Sequence, residues 1–331
     1  MAVTLAIFSP CVQMNDGTPI IKDLVLVGGG HAHVFVLKMF GMKPEPGVKL
    51  TLITRDIMTP YSGMLPGHVA GHYSYEECHV DLLPLAKFAH CRFIHAEADG
   101  IDTVNKTVRL KPKPGQPSRP PISYDVLSID IGINPSSIAQ SGTAGARVPS
   151  AITPVKPINS FSERWNEIRR RIQHTTLARP AEIVVVGGGA GGVELALAMQ
   201  YQLGKDCQSG GGTLPPRFTL LTRGDSILSS HNAKVRRTLQ KVLNDRKVRV
   251  LPNCEVEKSV ARKNKNSGTS ETVLVCKNGD SYPYDECIWC TSAAPQAWLQ
   301  TETSLELDSG GFIAVQDTLE STNTHDIFAA G

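Results

Sequence analysis

Neither lysine nor arginine occurs among the first twenty residues. That absence excludes a basic secretory leader and an arginine-rich transit peptide, and residues 1–20 read as a tail. Equally missing is any run of about 20 uncharged apolar residues, the length a membrane-spanning helix needs. The best stretch, residues 183–199, carries Glu194 and five glycines. The expectation is an intracellular chain, soluble or at most in peripheral contact with a membrane. The 34 basic and 31 acidic residues are interspersed, with no long basic block, so the net charge of +3 does not point to nucleic acid. The eight cysteines are scattered from position 11 to position 290 without the compact framework of a small disulfide-rich domain, which suggests a reducing compartment.

What is present fits two globular units. A chain of 331 residues with 41% hydrophobic content exceeds the size at which one core stops growing. Residues 24–27 read as a short apolar strand, 31–40 as a helix and 50–54 as a second strand, with Gly28-Gly29-Gly30 at the first turn. Strand, turn, helix, strand implies a parallel pair with a crossover helix. Two further strands, 107–110 and 124–131, flank a loop at 111–121 in which five of eleven residues are proline. Phe161, Trp165, Ile168 and Ile172 then recur at helical spacing, an amphipathic linker helix with Arg164, Arg169 and Arg171 on its other faces.

After the linker the pattern restarts. Residues 183–186 read as a strand, 187–192 as a glycine turn, 193–202 as a helix, 204–216 as a surface loop and 218–222 as the next strand. Strands near 272–276 and 282–289 are joined by Asn278-Gly279, a favoured hairpin turn. The fold class expected is α/β, with two Rossmann-like dinucleotide-binding units, the second inserted in the first and each carrying a small antiparallel flap. The boundaries expected are 21–155 for the first unit, 156–300 for the second and 301–331 for a truncated return to the first.

A dinucleotide's pyrophosphate needs backbone amides it can approach closely and a positive helix end to face; glycine supplies the first and the helix dipole the second. Gly187, Gly189 and Gly192 meet the full spacing. In the first motif Gly28 and Gly30 are present, but His33 replaces the third glycine, so helix and strand should pack less closely there. Each second strand should end in an acid that holds a ribose hydroxyl. Instead Thr54-Arg55 and Thr222-Arg223 stand there. At the second motif, an arginine without the acid suggests tolerance of a 2′-phosphate, hence NADPH as well as NADH. His31 and His33 lack any Cys, Asp or Glu before Glu45, too poor a set for a metal, and should line the phosphate approach or pack beneath it.

With both motifs in place, the sequence resembles the pyridine nucleotide-disulfide oxidoreductase superfamily, close to type II NADH:quinone oxidoreductases. Four segments carry the likeness. Residues 59–67 (Thr-Pro-Tyr-Ser-Gly-Met-Leu-Pro-Gly) resemble a flavin-contacting loop, and residues 124–132, ending Asp-Ile-Gly where Ala-Thr-Gly is usual, resemble the strand closing the flavin domain. Gly191-Gly192-Val193-Glu194 resembles the start of the NAD(P)H-side helix, and residues 311–331 the return strand, after which relatives place an aspartate near the flavin. The Gly-Gly-Gly-His-Ala-His opening and the 59–67 loop also resemble the flavoprotein half fused to some selenide, water dikinases.

The resemblance implies FAD held by Gly28, Gly29, Gly30, His31, Ala32, Arg55, Pro60, Met64, Leu65, Pro66, Gly132 and Gly331. It implies NADH or NADPH held by Gly187, Gly189, Ala190, Gly191, Gly192 and Arg223, with Glu194 in the helix's first turn, near the reacting rings. Residues 31–60 contain no cysteine, so no redox dithiol follows the first glycine turn. Cys287-x-x-Cys290 falls in an expected strand, where side chains three apart point to opposite faces. Direct hydride transfer from nicotinamide to flavin, then electron transfer to a quinone-like or selenium-containing small molecule, is therefore the leading reading. A flavin monooxygenase and a non-catalytic nucleotide-sensing module of a fusion protein stay open as alternatives. A fused or associated kinase domain and a homodimer are further expectations of the resemblance.

Overall fold

The computed structural model describes residues 18–135, 152–174, 179–209, 214–263, 270–291 and 293–331, so most of the expected tail lies outside the described residues. The chain forms two compact units. The first comprises residues 1–59, 80–132 and 295–331, and the second residues 60–79 and 133–294, so that in chain order the second is inserted into the first.

In the first unit the run Leu24 to Val27 forms the end of strand β1 (Lys22–Val27), followed by helix α1 (His31–Met42) and strand β2 (Val48–Thr54). β1 and β2 are parallel, with Leu24 opposite Leu50 and Val27 opposite Ile53. Helix α2 (Leu82–Phe88) leads to β3 (Arg92–His95), which joins β2 in parallel. An antiparallel flap of β4 (Ala98–Asp102), β5 (Thr107–Leu110) and β6 (Ile122–Ser123) precedes β7 (Val126–Ile129). The last strand, Ile327–Ala329, pairs in parallel with β7 and completes the sheet order Ile327–Ala329, β7, β1, β2, β3. Val25 and Val27 belong to the core on one face of this sheet and Leu26 to that on the other. Both faces are covered, which is why β1 is continuously apolar rather than alternating.

The second unit repeats the plan. It contains β8 (Ile152–Pro154), α3 (Ile158–Gln173), β9 (Glu182–Val186), α4 (Ala190–Ser209), β10 (Arg217–Leu221), α5 (Ala233–Asp245) and β11 (Arg249–Leu251). A flap of β12 (Val256–Lys263), β13 (Ser270–Cys276) and β14 (Ser281–Pro283) comes before β15 (Glu286–Trp289). The parallel sheet has the order β8, β15, β9, β10, β11. Helix α3 buries Phe161, Trp165, Ile168 and Ile172, as its spacing predicts. Two of its arginines are ion-paired within the unit: Arg169 to Asp206 at 2.7 Å and Arg171 to Glu286 at 2.6 Å.

Three expectations are corrected. The single strand expected at 282–289 is two: β14 is an edge strand of the flap, where Pro283 can omit a ladder donor, whereas β15 enters the parallel sheet with all four residues buried. Helix α4 starts at Ala190 and continues to Ser209, so it overruns the expected helix and takes the first residues of the expected 204–216 loop. Glu194 consequently lies in the second turn, where less of the dipole is felt. Finally, Cys254 and Cys276 are joined by a disulfide between the approach to β12 and the end of β13, a pairing their scattered positions did not reveal.

Candidate functional site

Open parallel sheets bind ligands beyond the carboxyl ends of strands where the order reverses. In the first unit that point lies between β1 and β7. The Gly28 amide donates to the Ile53 carbonyl at 2.8 Å, and the residue takes φ +97°, a conformation available mainly to glycine. A Cβ there would fall 2.0 Å from the Asp130 carbonyl oxygen, so the turn tolerates no side chain. Beside the turn, a cavity of about 80 Å³ opens among Gly28, Gly29, Thr54, Arg55, Asp56, Glu97 and Trp298. Two carboxylates missed by the motif reading line it. Asp56 stands two residues past the strand end, paired with Arg55 at 2.9 Å, and Glu97 follows β3 and meets Lys111 at 3.0 Å. The bond to Asp56 raises the Arg55 pKa further.

The start of α1 faces a third carboxylate. Asp130 is buried directly after β7, and one of its oxygens accepts the amides of Ala32 at 2.9 Å and His33 at 3.4 Å. Its other oxygen lies 2.0 Å from where a Cβ on Gly30 would sit, and 2.3 Å from the same point on Gly331. His33 is buried and bridges the turn to the sheet, Nδ1 lying 2.7 Å from the Gly28 carbonyl and Nε2 2.8 Å from the Ser128 hydroxyl. Both ring nitrogens are thus engaged by the fold. Among the described residues no cluster of three His, Cys, Asp or Glu side chains could hold a metal.

The second unit reproduces this cradle without the carboxylate. Gly187 has φ +129°, and its Cβ would fall 2.9 Å from the Cys290 carbonyl oxygen. A side chain on Gly188 would strike Thr222, as one on Gly29 would strike Thr54. A Cβ on Gly192 would lie 1.9 Å from the Gly187 carbonyl, the close helix approach the third glycine permits. Around Gly189 and Gly191 no protein atom lies within 4 Å of a would-be Cβ, so this face can receive a ligand backbone to backbone. Ala190 opens the helix, Arg223 is exposed past β10, and a further cavity of about 260 Å³ is lined by Ser226, Arg236 and Arg237.

The remaining expected residues are dispersed. Pro60, Met64, Leu65 and Pro66 belong to the second unit, where Leu65 is buried in the same core as α3 and Val193. Glu194 is exposed on α4. Gly132 and Gly331 both take positive φ in the first unit, at +67° and +111°. Cys287 and Cys290 pack into cores on opposite faces of the sheet, and burial pushes both thiols up, Cys290 to about 12.

A family model described as pyridine nucleotide-disulphide oxidoreductase matches residues 22–331. The chain belongs to that family. Its members are FAD-dependent oxidoreductases that work with NADH or NADPH. The chain is 23% identical over 300 residues to an NADH dehydrogenase-like protein, YutJ, of Bacillus subtilis, covering 89% of this chain and 72% of that protein. It is 24% identical over 340 residues to the type II NADH:quinone oxidoreductase of Haemophilus influenzae, covering 94% and 73%. Among solved structures, the water-forming NADH oxidase of Lactobacillus brevis aligns with a TM-score of 0.70 at 19% identity, over 94% of this chain and 62% of that one. That likeness shows a shared fold. Among the described residues no helix is long and apolar enough to cross a membrane.

Proposed function

We propose that the chain is the core of an FAD-dependent NAD(P)H dehydrogenase, in which the first unit holds FAD, the second holds the nicotinamide nucleotide, and electrons pass to a small quinone-like or selenium-containing acceptor. The observation that carries this is the repeated cradle: a positive-φ glycine, the carbonyl of the residue that follows a β-strand against it, and a helix opening directly beyond, in both units. The curated relatives named for NADH dehydrogenation and quinone reduction support the quinone arm. The selenium arm, with an associated kinase domain, rests on the Gly-Gly-Gly-His-Ala-His opening and the 59–67 loop.

When bound, FAD supplies a two-electron acceptor for the hydride of the nicotinamide. The chain's own residues bind and orient. Backbone amides at the start of α4 and the open face at Gly189 and Gly191 take the nicotinamide nucleotide's diphosphate. Asp56 and Glu97 offer acceptors for sugar hydroxyls in the first unit, in place of the acid absent from the end of β2. Glu194 is the carboxylate proposed to stand beside the nicotinamide. No thiol is assigned a step, because Cys287 and Cys290 face apart and are held protonated by burial.

The test is to purify the full-length protein, record whether a flavin absorption band co-purifies, and add NADH or NADPH without oxygen. Bleaching of the band within mixing time, reversed by a quinone or a selenium compound, is the expected result. A colourless protein that binds NADH would overturn the dehydrogenase reading in favour of a nucleotide sensor. Oxygen consumption coupled to oxygenation of an added substrate would favour a monooxygenase.

A further inference from the structure

We propose that Asp130 is a built-in surrogate for the cofactor's diphosphate, a carboxylate that occupies the first cradle and sets how tightly the dinucleotide is held. The proposal rests on the reading that the first unit takes FAD. One Asp130 oxygen accepts the Ala32 and His33 amides at the start of α1, and the other lies where a Cβ on Gly30 or Gly331 would sit. Those amides and that glycine surface are what a diphosphate would use. Two anions cannot share one pair of donors at contact distance without strong repulsion, so a diphosphate enters only as the carboxylate swings away. Until then, Asp130 satisfies amides that would otherwise be orphans at a helix start, and it compensates the positive end of the dipole.

The second unit is the internal control. Val27 pairs with Ile129 and the next residue is Asp130; Val186 pairs with Trp289 and the next is Cys290. In each unit the carbonyl of that residue abuts the first glycine of the turn. The positions are equivalent in the fold, but the second cradle carries no carboxylate and stays open at Gly189. Asp130 is therefore an affinity-determining residue particular to the first site: it stabilises the empty cradle and opposes the filled one.

The test uses the full-length protein freed of cofactor and calorimetric titration with FAD, ADP and NADH. Asp130→Asn keeps an acceptor for the α1 amides and removes the charge. It is expected to tighten FAD and ADP about tenfold or more, leave NADH unchanged, and lower the melting temperature of the cofactor-free form. The reciprocal Cys290→Asp is expected to weaken NADH about tenfold while FAD binding is retained, which also shows that the variant is folded. If Asp130→Asn binds FAD and ADP no tighter than the natural protein, or Cys290→Asp binds NADH as well as before, the proposal is overturned. Failure of the natural protein and of Asp130→Asn alike to bind FAD or ADP would instead overturn the assignment of the first unit, and the proposal with it.

Discussion

Nδ1 of His33, in the first turn of α1, lies 2.7 Å from the carbonyl oxygen of Gly28, five residues earlier in the glycine turn. Because a carbonyl only accepts, Nδ1 carries the proton, and Nε2 is left to accept from the Ser128 hydroxyl at 2.8 Å. The imidazole thus ties the turn to β7 at the position where the second unit has Gly192, whose helix packs too closely on Gly187 to admit a side chain.

That arrangement has a pH signature. Burial lowers the His33 pKa, against the opposing influence of the Gly28 hydrogen bond and the Asp130 charge. A histidine held neutral in the folded state binds fewer protons than the unfolded chain at acid pH. Its contribution is fully present above the unfolded value of about 6.5 and is lost as the pH falls through and below it. Urea unfolding at pH 7.5 and 5.5 should show a larger loss for the natural protein than for His33→Gln. The variant should be about 1–3 kcal/mol less stable at pH 7.5, the cost of leaving a buried polar partner unsatisfied. Equal acid sensitivity in both proteins would remove His33 from this role.

The legible part of the molecule was what local pattern controls. Apolar runs such as Val184 to Val186 and the helical spacing of Phe161, Trp165, Ile168 and Ile172 report burial directly, so both parallel units could be read from the chain. The start of α4 was obscured because Gly191 and Gly192 are poor helix formers, and the close approach of Gly192 to the Gly187 carbonyl is a tertiary contact that local pattern does not report. Asp130 shows a different limit. Its place in the chain marked only a departure from Ala-Thr-Gly, since its partner amide at Ala32 is 98 residues away and nothing local reveals the contact. Asp56 was overlooked because the acid was sought at the strand end rather than two residues beyond it.

The pairing of Arg171 with Glu286 predicts an asymmetric mutational response. Glu286 is buried, which raises its pKa, while the guanidinium opposes that rise through contacts at 2.6 and 2.9 Å. Arg171→Ala removes the partner of the buried Glu286 carboxylate, and because the Arg171 side chain is itself 46% exposed the cost is screened to about 1–3 kcal/mol, whereas replacing both residues with Met and Leu should cost less. A double-mutant cycle by denaturant unfolding measures the difference; additive losses would show that the two side chains are not coupled.

Nucleotide choice is expected to depend on the arginines beyond β10. Arg223 is exposed there, and Arg236 reaches Ser226 at 3.5 Å beside the neighbouring cavity. If these cations meet a 2′-phosphate, Arg223→Ala and Arg236→Ala should each weaken NADPH about tenfold and change NADH by less than about twofold. Fluorescence titration with both nucleotides decides it, and parallel losses for the two would argue that the arginines act on structure rather than on the phosphate.

The glycines of the second turn allow packing and ligand contact to be separated. A methyl group on Gly192 would sit 1.9 Å from the Gly187 carbonyl, whereas one on Gly189 would meet no protein atom within 4 Å. Gly192→Ala should therefore cost about 1–3 kcal/mol or more of stability by forcing α4 away from β9. Gly189→Ala should leave the melting temperature within a degree or two of the natural protein, because nothing is displaced in the ligand-free fold. The same methyl group would stand between the backbone and an incoming diphosphate, so Gly189→Ala should weaken NADH at least about tenfold by calorimetry. Unchanged NADH affinity in a stable Gly189→Ala protein would show that the diphosphate does not lie over this turn.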